Sequence, residues 1–261
     1  MILQTPGRHT PLTLLMLAGL GLVQGRSLDA QFAVSPVIVQ LPSGDTAVDA
    51  WIRIDNDGQN SMQFRVYAAD FDQDRVGTHR FTQPGTSEQS CADRLSFVPD
   101  ALSVPAGGRA IVQVRLAPGP GDTCWSMLFV EAPTAATSAI RVNQRIGVKV
   151  YGLAEDRGSG GEVVDAVARV VGDSVEVAVT FRNGTYWPLR PSGVVEIRDP
   201  LGTVVAATPI SAFSVLPERD RTLQFRLPLH DAPPGRYLAV LVLDFGADHL
   251  AGAQVDFRLT E

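Results

Sequence analysis

The chain has 261 residues, 45% of them apolar and 19% charged, with 22 basic against 28 acidic residues and a formal net charge of -6. That length suffices for one large core or two small ones, and the negative balance argues against nucleic acid as a partner. With 24 glycines and 18 prolines the composition is that of a turn-rich globular chain, short of a disordered one.

Residues 1–25 carry one cation, Arg8, ahead of an apolar run from Leu12 to Val23. That run falls well below the ~20 residues that span a bilayer, so it reads as a secretory signal peptide. Small residues place cleavage after Gly25, with Ala30 as the alternative. No later stretch is long and apolar enough to span a membrane, so an exported protein without a membrane span is expected. Cys91 and Cys124 enclose a 34-residue loop. Export makes a disulfide the default state of that pair, and closing such a loop stabilises by ~3–4 kcal/mol.

Short Val, Ile and aromatic runs of period two, separated by Gly, Pro, Asn and Asp clusters, dominate the rest of the chain. In Val48–Ile54 the set Val48, Ala50, Ile52 and Ile54 alternates with Asp49, Trp51 and Arg53, and Asn56-Asp57-Gly58 stops the run. Strands are expected at 33–40, 48–55, 62–69, 94–98, 109–116, 124–131 and 139–151, a count that fits an immunoglobulin-like sandwich. Residues 153–161, with Glu155, Asp156, Arg157 and Gly158-Ser159-Gly160-Gly161, read as a linker. Strands resume at 162–171, 174–182, 194–199, 203–207, 221–227, 236–244 and 253–260. Val163, Ala166, Val167, Val170 and Val171 also stand at helical spacing, but valine is a weak helix former, so 162–171 reads as a strand. The expected fold class is all-β: residues 26–152 and 162–261 each form an immunoglobulin-like β-sandwich domain.

Catalytic constellations are missing from the sequence, with no G-x-S-x-G elbow, P-loop, H-E-x-x-H or dinucleotide fingerprint. His79, His230 and His249 fall in loops or strand ends, and Asp248 beside His249 would point to the opposite face of a strand. Asp70, Asp72 and Asp74 resemble the start of a calcium loop. Arg75 stands where that loop needs glycine and Phe81 where it needs glutamate, so the run reads as a solvated loop after a strand ending near Ala69. Asn183-Gly184-Thr185 is both a sequon and a turn signal, and the turn is preferred. Trp51, Trp125 and Trp187 are scattered, which gives no carbohydrate platform. No catalytic residue, metal site or cofactor is expected.

The segment 140–151 stands out. Ile140, Val142, Gln144, Ile146, Val148 and Val150 form one face, and Arg141, Asn143, Arg145, Gly147, Lys149 and Tyr151 the other. Lys149 is the single lysine of the chain. Such a strand either closes its own core or lends an edge to a partner's strand.

Several segments together resemble the periplasmic pilus-assembly chaperones and their wider PapD-like relatives. They are Phe32-Ala33-Val34-Ser35-Pro36, Asn56-Asp57-Gly58, Pro99 with Ala101-Leu102-Ser103-Val104-Pro105-Ala106-Gly107, and Arg145-Ile146-Gly147-Val148-Lys149-Val150-Tyr151. The resemblance covers about residues 32–152 and makes the first domain PapD-like. It implies two immunoglobulin-like domains that bind exported protein subunits by lending the last strand of the first domain to an incomplete sandwich. On that basis Ile140, Val142, Ile146, Val148 and Val150 are candidate partner-binding residues. Arg145 and Lys149 are candidate cations for a partner's terminal carboxylate, since the first strand, 34–41, has no cation. The implied location is the periplasm, with the extracellular space as the alternative. The alternative role is a structural or adhesive immunoglobulin-like component of an envelope or extracellular assembly, using the same edges permanently.

Overall fold

The computed structural model describes residues 32–133, 143–229 and 232–260. The segment expected as a signal peptide, Ile140, Arg141, Val142 and His230 lie outside them. In chain order the first half forms β1 (Phe32–Ser35), β2 (Ile38–Pro42), β3 (Val48–Asn56), β4 (Met62–Gln73) and β5 (His79–Thr82). A 3-10 turn at Ala92–Arg94 precedes β6 (Leu95–Val98), β7 (Ala101–Val104), β8 (Arg109–Leu116), β9 (Cys124–Pro133) and β10 (Asn143–Leu153). The second half forms β11 (Gly161–Val171), β12 (Ser174–Asn183), β13 (Ser192–Arg198), β14 (Val204–Ile210), β15 (Asp220–Pro228), β16 (Gly235–Asp244) and β17 (Ala251–Leu259).

These strands make two sandwiches. In the first, the sheet β1-β3-β8-β6 faces the sheet β2-β10-β9-β4-β5, and β7 also pairs with β4. In the second, β11-β12-β15 faces β14-β13-β16-β17. The chain passes repeatedly from one sheet to the other, as in an immunoglobulin-like sandwich. In β16 the Tyr237 hydroxyl donates to the Pro233 carbonyl at 2.7 Å, the corner bond typical of that strand position. The two inner faces bury Ile52, Ile54, Val112, Val114, Leu128 and Val148 in the first core, and Val175, Val179, Phe181, Val195, Ile197 and Leu243 in the second.

Three local outcomes differ from the sequence pattern or explain it. The run expected as one strand at 33–40 is split: β1 pairs antiparallel with β3, and β2 pairs parallel with β10 in the opposite sheet. Pro36 lies at the crossing, where a residue without N–H contributes nothing to a ladder. The valine spacing of 162–171 belongs to strand β11, which has a register shift between Val163 and Asp165. A bulge moves the inward phase by one residue, so Val163 precedes it and Ala166, Ala168 and Val170 follow it on the core side.

The third outcome corrects the acidic run. β4 continues to Gln73, and Asp70 is 1% exposed. Its carboxylate accepts hydrogen bonds from the Thr86 and Ser87 N–H groups at 2.8 and 2.9 Å and from the Ser90 hydroxyl at 2.5 Å. It therefore anchors the 86–90 loop, because a buried carboxylate needs such donors. Asp72 pairs with Arg219, and Asp74 caps its own turn through the Val76 and Thr78 N–H groups. The three carboxylates do not converge.

Cys91 and Cys124 form a disulfide, with Cα atoms 5.1 Å apart, that ties the 3-10 turn to the start of β9. Two asparagines close the sandwiches in the same way. The Asn56 side chain, at the end of β3, donates to the Asn60, Val104 and Pro105 carbonyls at 2.8, 2.9 and 3.0 Å and accepts from the Gly58 N–H at 3.0 Å. Asn183, at the end of β12, donates to the Trp187, Val215 and Leu216 carbonyls at 2.8, 3.1 and 3.1 Å and accepts from the Thr185 N–H at 2.9 Å. Both residues are 0% exposed, so the sequon at Asn183 is occupied by structure.

A third apolar cluster joins the sandwiches. Phe71, Trp125, Met127, Phe129, Tyr151 and Leu153 cover the outer face of the larger first-domain sheet and receive Leu216 and Trp187 from the second sandwich. The Trp187 indole N–H donates to the Ala154 carbonyl at 2.9 Å. At one side of this contact the Thr222 N–H donates to the Arg75 carbonyl at 2.7 Å, and Asp220 takes ion pairs from Arg75 and Arg182 at 3.0 and 2.9 Å.

Candidate functional site

β10 is flanked unevenly. Its ladder with β9 runs from Asn143 to Gly152, whereas its parallel ladder with β2 begins only at Lys149, opposite Ile38. Among the described residues, Asn143–Val148 is thus laddered on one side only. Strand edges of this kind template the pairing of another chain, because their free N–H and C=O groups point outward in a row.

The five partner-binding candidates separate along this strand. Ile140 and Val142 lie outside the described residues. Ile146 is half-buried against the first core at the unpaired stretch. Val148 and Val150 are both 0% exposed and belong to the core, and Val150 has backbone neighbours on both flanks. Alternation aims both inward, where the inner face is already closed.

The two candidate cations also separate. Arg145 stacks on the sheet's outer aromatics, its guanidinium carbon 4.4 Å from the Phe129 ring centre and 5.8 Å from that of Phe81, and donates to the Tyr67 hydroxyl at 3.5 Å. Tyr67 in turn donates to Glu131 at 2.8 Å. Lys149, four residues and about 13 Å further along the strand, lies where the second sandwich meets the first. Its ammonium donates to the Ser214 hydroxyl at 3.4 Å and sits 5.8 Å from the Phe71 ring centre. The two cations therefore do not form one clamp.

Lys149 instead has company that the sequence did not reveal. Burial, then the charges of Arg190 and Arg221, push its ammonium below the ordinary lysine value. Arg221, at the start of β15, lays its guanidinium against Gly77, whose φ of +89° and missing Cβ admit it. The Nε and Nη1 of Arg221 are buried without a hydrogen-bond partner, as is Nε2 of His79 on β5. Burial, Lys149 and Arg221 push His79 below the ordinary imidazole range, against an opposing pull from Asp74. Burial raises the Tyr151 phenol far above its usual value. Three cations and two side chains with unpartnered buried nitrogens thus stand near one junction, whose residues are up to 142 positions apart in sequence, from His79 to Arg221, and come together only through the fold.

Among the described residues no group of three or more His, Cys, Asp or Glu side chains is arranged to hold a metal ion. His249 packs edge-on against Phe245 with ring centres 5.2 Å apart. No helix among the described residues is long and apolar enough to cross a membrane.

No family model matches the chain, and no curated protein matches it. Among solved structures it is similar to the YadV chaperone, with 12% identity, a TM-score of 0.47 and coverage of 88% of this chain and 100% of that one. It is similar to the class 5 fimbriae chaperone CfaA, with 11% identity, a TM-score of 0.45 and coverage of 88% and 99%. It also resembles a chain of the CsuC–CsuE chaperone-tip adhesion subunit complex from Acinetobacter baumannii, with 15% identity, a TM-score of 0.43 and coverage of 75% and 90%. Each is a likeness of architecture.

Proposed function

We propose that this is an exported protein that binds other exported polypeptides by strand addition along β10, as a periplasmic assembly chaperone for pilus-like or surface subunits. The observation that carries this reading is the stretch Asn143–Val148, laddered on one side only and bearing half-buried Ile146. A partner strand would gain its affinity from that row of backbone groups and its specificity from alternate side chains. Lys149, at the end of the free stretch, is the cation that would hold the partner's terminal carboxylate. Arg145 is committed to the aromatic face and would contact the partner's flank.

The test places a photo-crosslinking residue at Asn143 or Arg145 in the exported protein and captures periplasmic partners, with Ile146→Asp as the control. Crosslinks from both positions into one segment of a small β-rich protein, lost in Ile146→Asp while that variant still melts cooperatively, support the reading. Cooperative Ile146→Asp protein that captures the same partner undiminished would overturn it. A chaperone is absent from the finished surface assembly; retention there assigns the structural role instead.

A further inference from the structure

Between Asp199 and Glu218 the sequence holds no charged residue, in a chain of which 19% is charged. That stretch contains β14 (Val204–Ile210), the last strand of its sheet. β13 pairs with one side of it, and among the described residues no strand pairs with the other. An outermost strand presents a row of backbone N–H and C=O groups that another chain can pair with, and proteins blunt such rows by shortening the strand or charging it. The other outer strands follow that rule. β1, β5, β6 and β7 have four residues each and β2 has five. β11 carries Glu162, Asp165 and Arg169, β15 carries Asp220, Arg221 and Arg226, and β17 carries Asp256 and Arg258. β14 is neither short nor charged. It also shows apolar side chains to water: Val204 and Val205 are 44% and 42% exposed, and Leu201 in the turn before it is 90% exposed. On the neighbouring β13, Glu196 and Arg198 neutralise each other at 2.6 Å.

The charge pattern selects the occupant. When a strand pairs antiparallel with its own copy about a twofold axis, a residue near the axis meets its own equivalent, so any charge there meets its like. A self-pairing edge must therefore lack charge, whereas an edge built for a different partner can carry charges complementary to it. Ala207 is the central residue of β14 and its side chain is exposed. With the axis at Ala207, Ala206 lies opposite the partner's Thr208 and Val204 opposite the partner's Ile210, so no charge meets its like. We propose that β14 is the interface of a homodimer in which two copies of the four-stranded sheet β14-β13-β16-β17 join edge to edge about that axis. The pairing uses the edge once on each copy, so the assembly closes at two instead of growing into a fibre. One strand pair buries little surface, so the dimer dissociates on dilution. The inference concerns the second sandwich and does not rest on strand addition at β10.

Sedimentation velocity of the exported protein between about 1 µM and about 1 mM reads the association. The expected result is a monomer–dimer equilibrium, weakened about tenfold or more in Ala207→Lys, where each copy brings a positive charge to the axis. The melting temperature of the dilute variant stays that of wild type. Ala207→Cys should form a disulfide-linked dimer on mild oxidation, whereas Gln254→Cys on the charged edge β17 should not. A wild-type protein that stays monomeric at the highest concentration overturns the proposal. If a photo-crosslinking residue at Ala207 then captures a different exported protein, the edge belongs to that protein. A dimer that Ala207→Lys leaves intact, or equal linkage from both cysteines, puts the contact elsewhere and overturns the proposal as well.

Discussion

Replacing Asn56 or Asn183 by alanine tests whether each sandwich is held at the corner by one amide. At Asn56 the change frees three carbonyls and one N–H, of which the Val104 carbonyl bond is fully buried and the others are partly reached by water. One fully buried orphan and three partly solvated ones cost together about 3–4 kcal/mol. At Asn183 the bonds to Val215, Leu216 and Thr185 are all buried, so the cost rises to about 4–5 kcal/mol. For a chain of this size each kcal/mol lowers the melting temperature by about 2–4 °C, which puts Asn56→Ala about 6–16 °C and Asn183→Ala about 8–20 °C below wild type. Urea unfolding followed by tryptophan fluorescence reads the loss in each variant, chiefly through Trp125 and Trp187 where the sandwiches meet. A loss under ~1 kcal/mol in either variant would refute the corner assignment. So would an Asn56→Ala cost larger than that of Asn183→Ala, because the burial of the bonds sets the order.

Two further outcomes follow from the described contacts. Reducing the Cys91–Cys124 disulfide, whose sequence separation is 33, lowers stability by about 3–4 kcal/mol, measured as a shift in the urea midpoint with and without reductant. The Asp220 carboxyl sits below its ordinary value because Arg182 donates to it and Arg75 adds charge. Its contribution is therefore fully present above the unfolded-state value and is lost as the pH falls through the lower folded-state one. Asp220→Asn should flatten the decline of melting temperature below about pH 4, and an unchanged decline would count against the clasp.

How far the fold was legible follows from how locally each element is determined. β3, β8 and β12 alternate cleanly because one face meets a core and the other meets water, so period alone reveals them. β5 and β7 have four residues each, with largely exposed burial patterns, and carry too little period to stand out. Asp70 and Asn183 read as loop and turn residues because both do sit beside turns; that their side chains are buried depends on loops arriving from elsewhere. The same limit applies to the site. Lys149 was visible as the only lysine, on the basic face of an alternating strand, whereas Arg221 and His79 come near it through packing between sandwiches. Val148 and Val150 show the converse, since an alternating apolar face identifies a strand without saying which part of it is already covered.

The partial parallel pairing of β2 with β10 has a geometric consequence. Because β2 occupies the flank from Lys149 onward and Val37 already accepts the Lys149 N–H at 3.0 Å, a guest strand can slide no further than Val148. The opening Asn143–Val148 is about 20 Å long. Under the proposed strand addition β2 would act as a doorstop: it would set where a guest must end, and so convert an edge with interchangeable backbone groups into one with a single register.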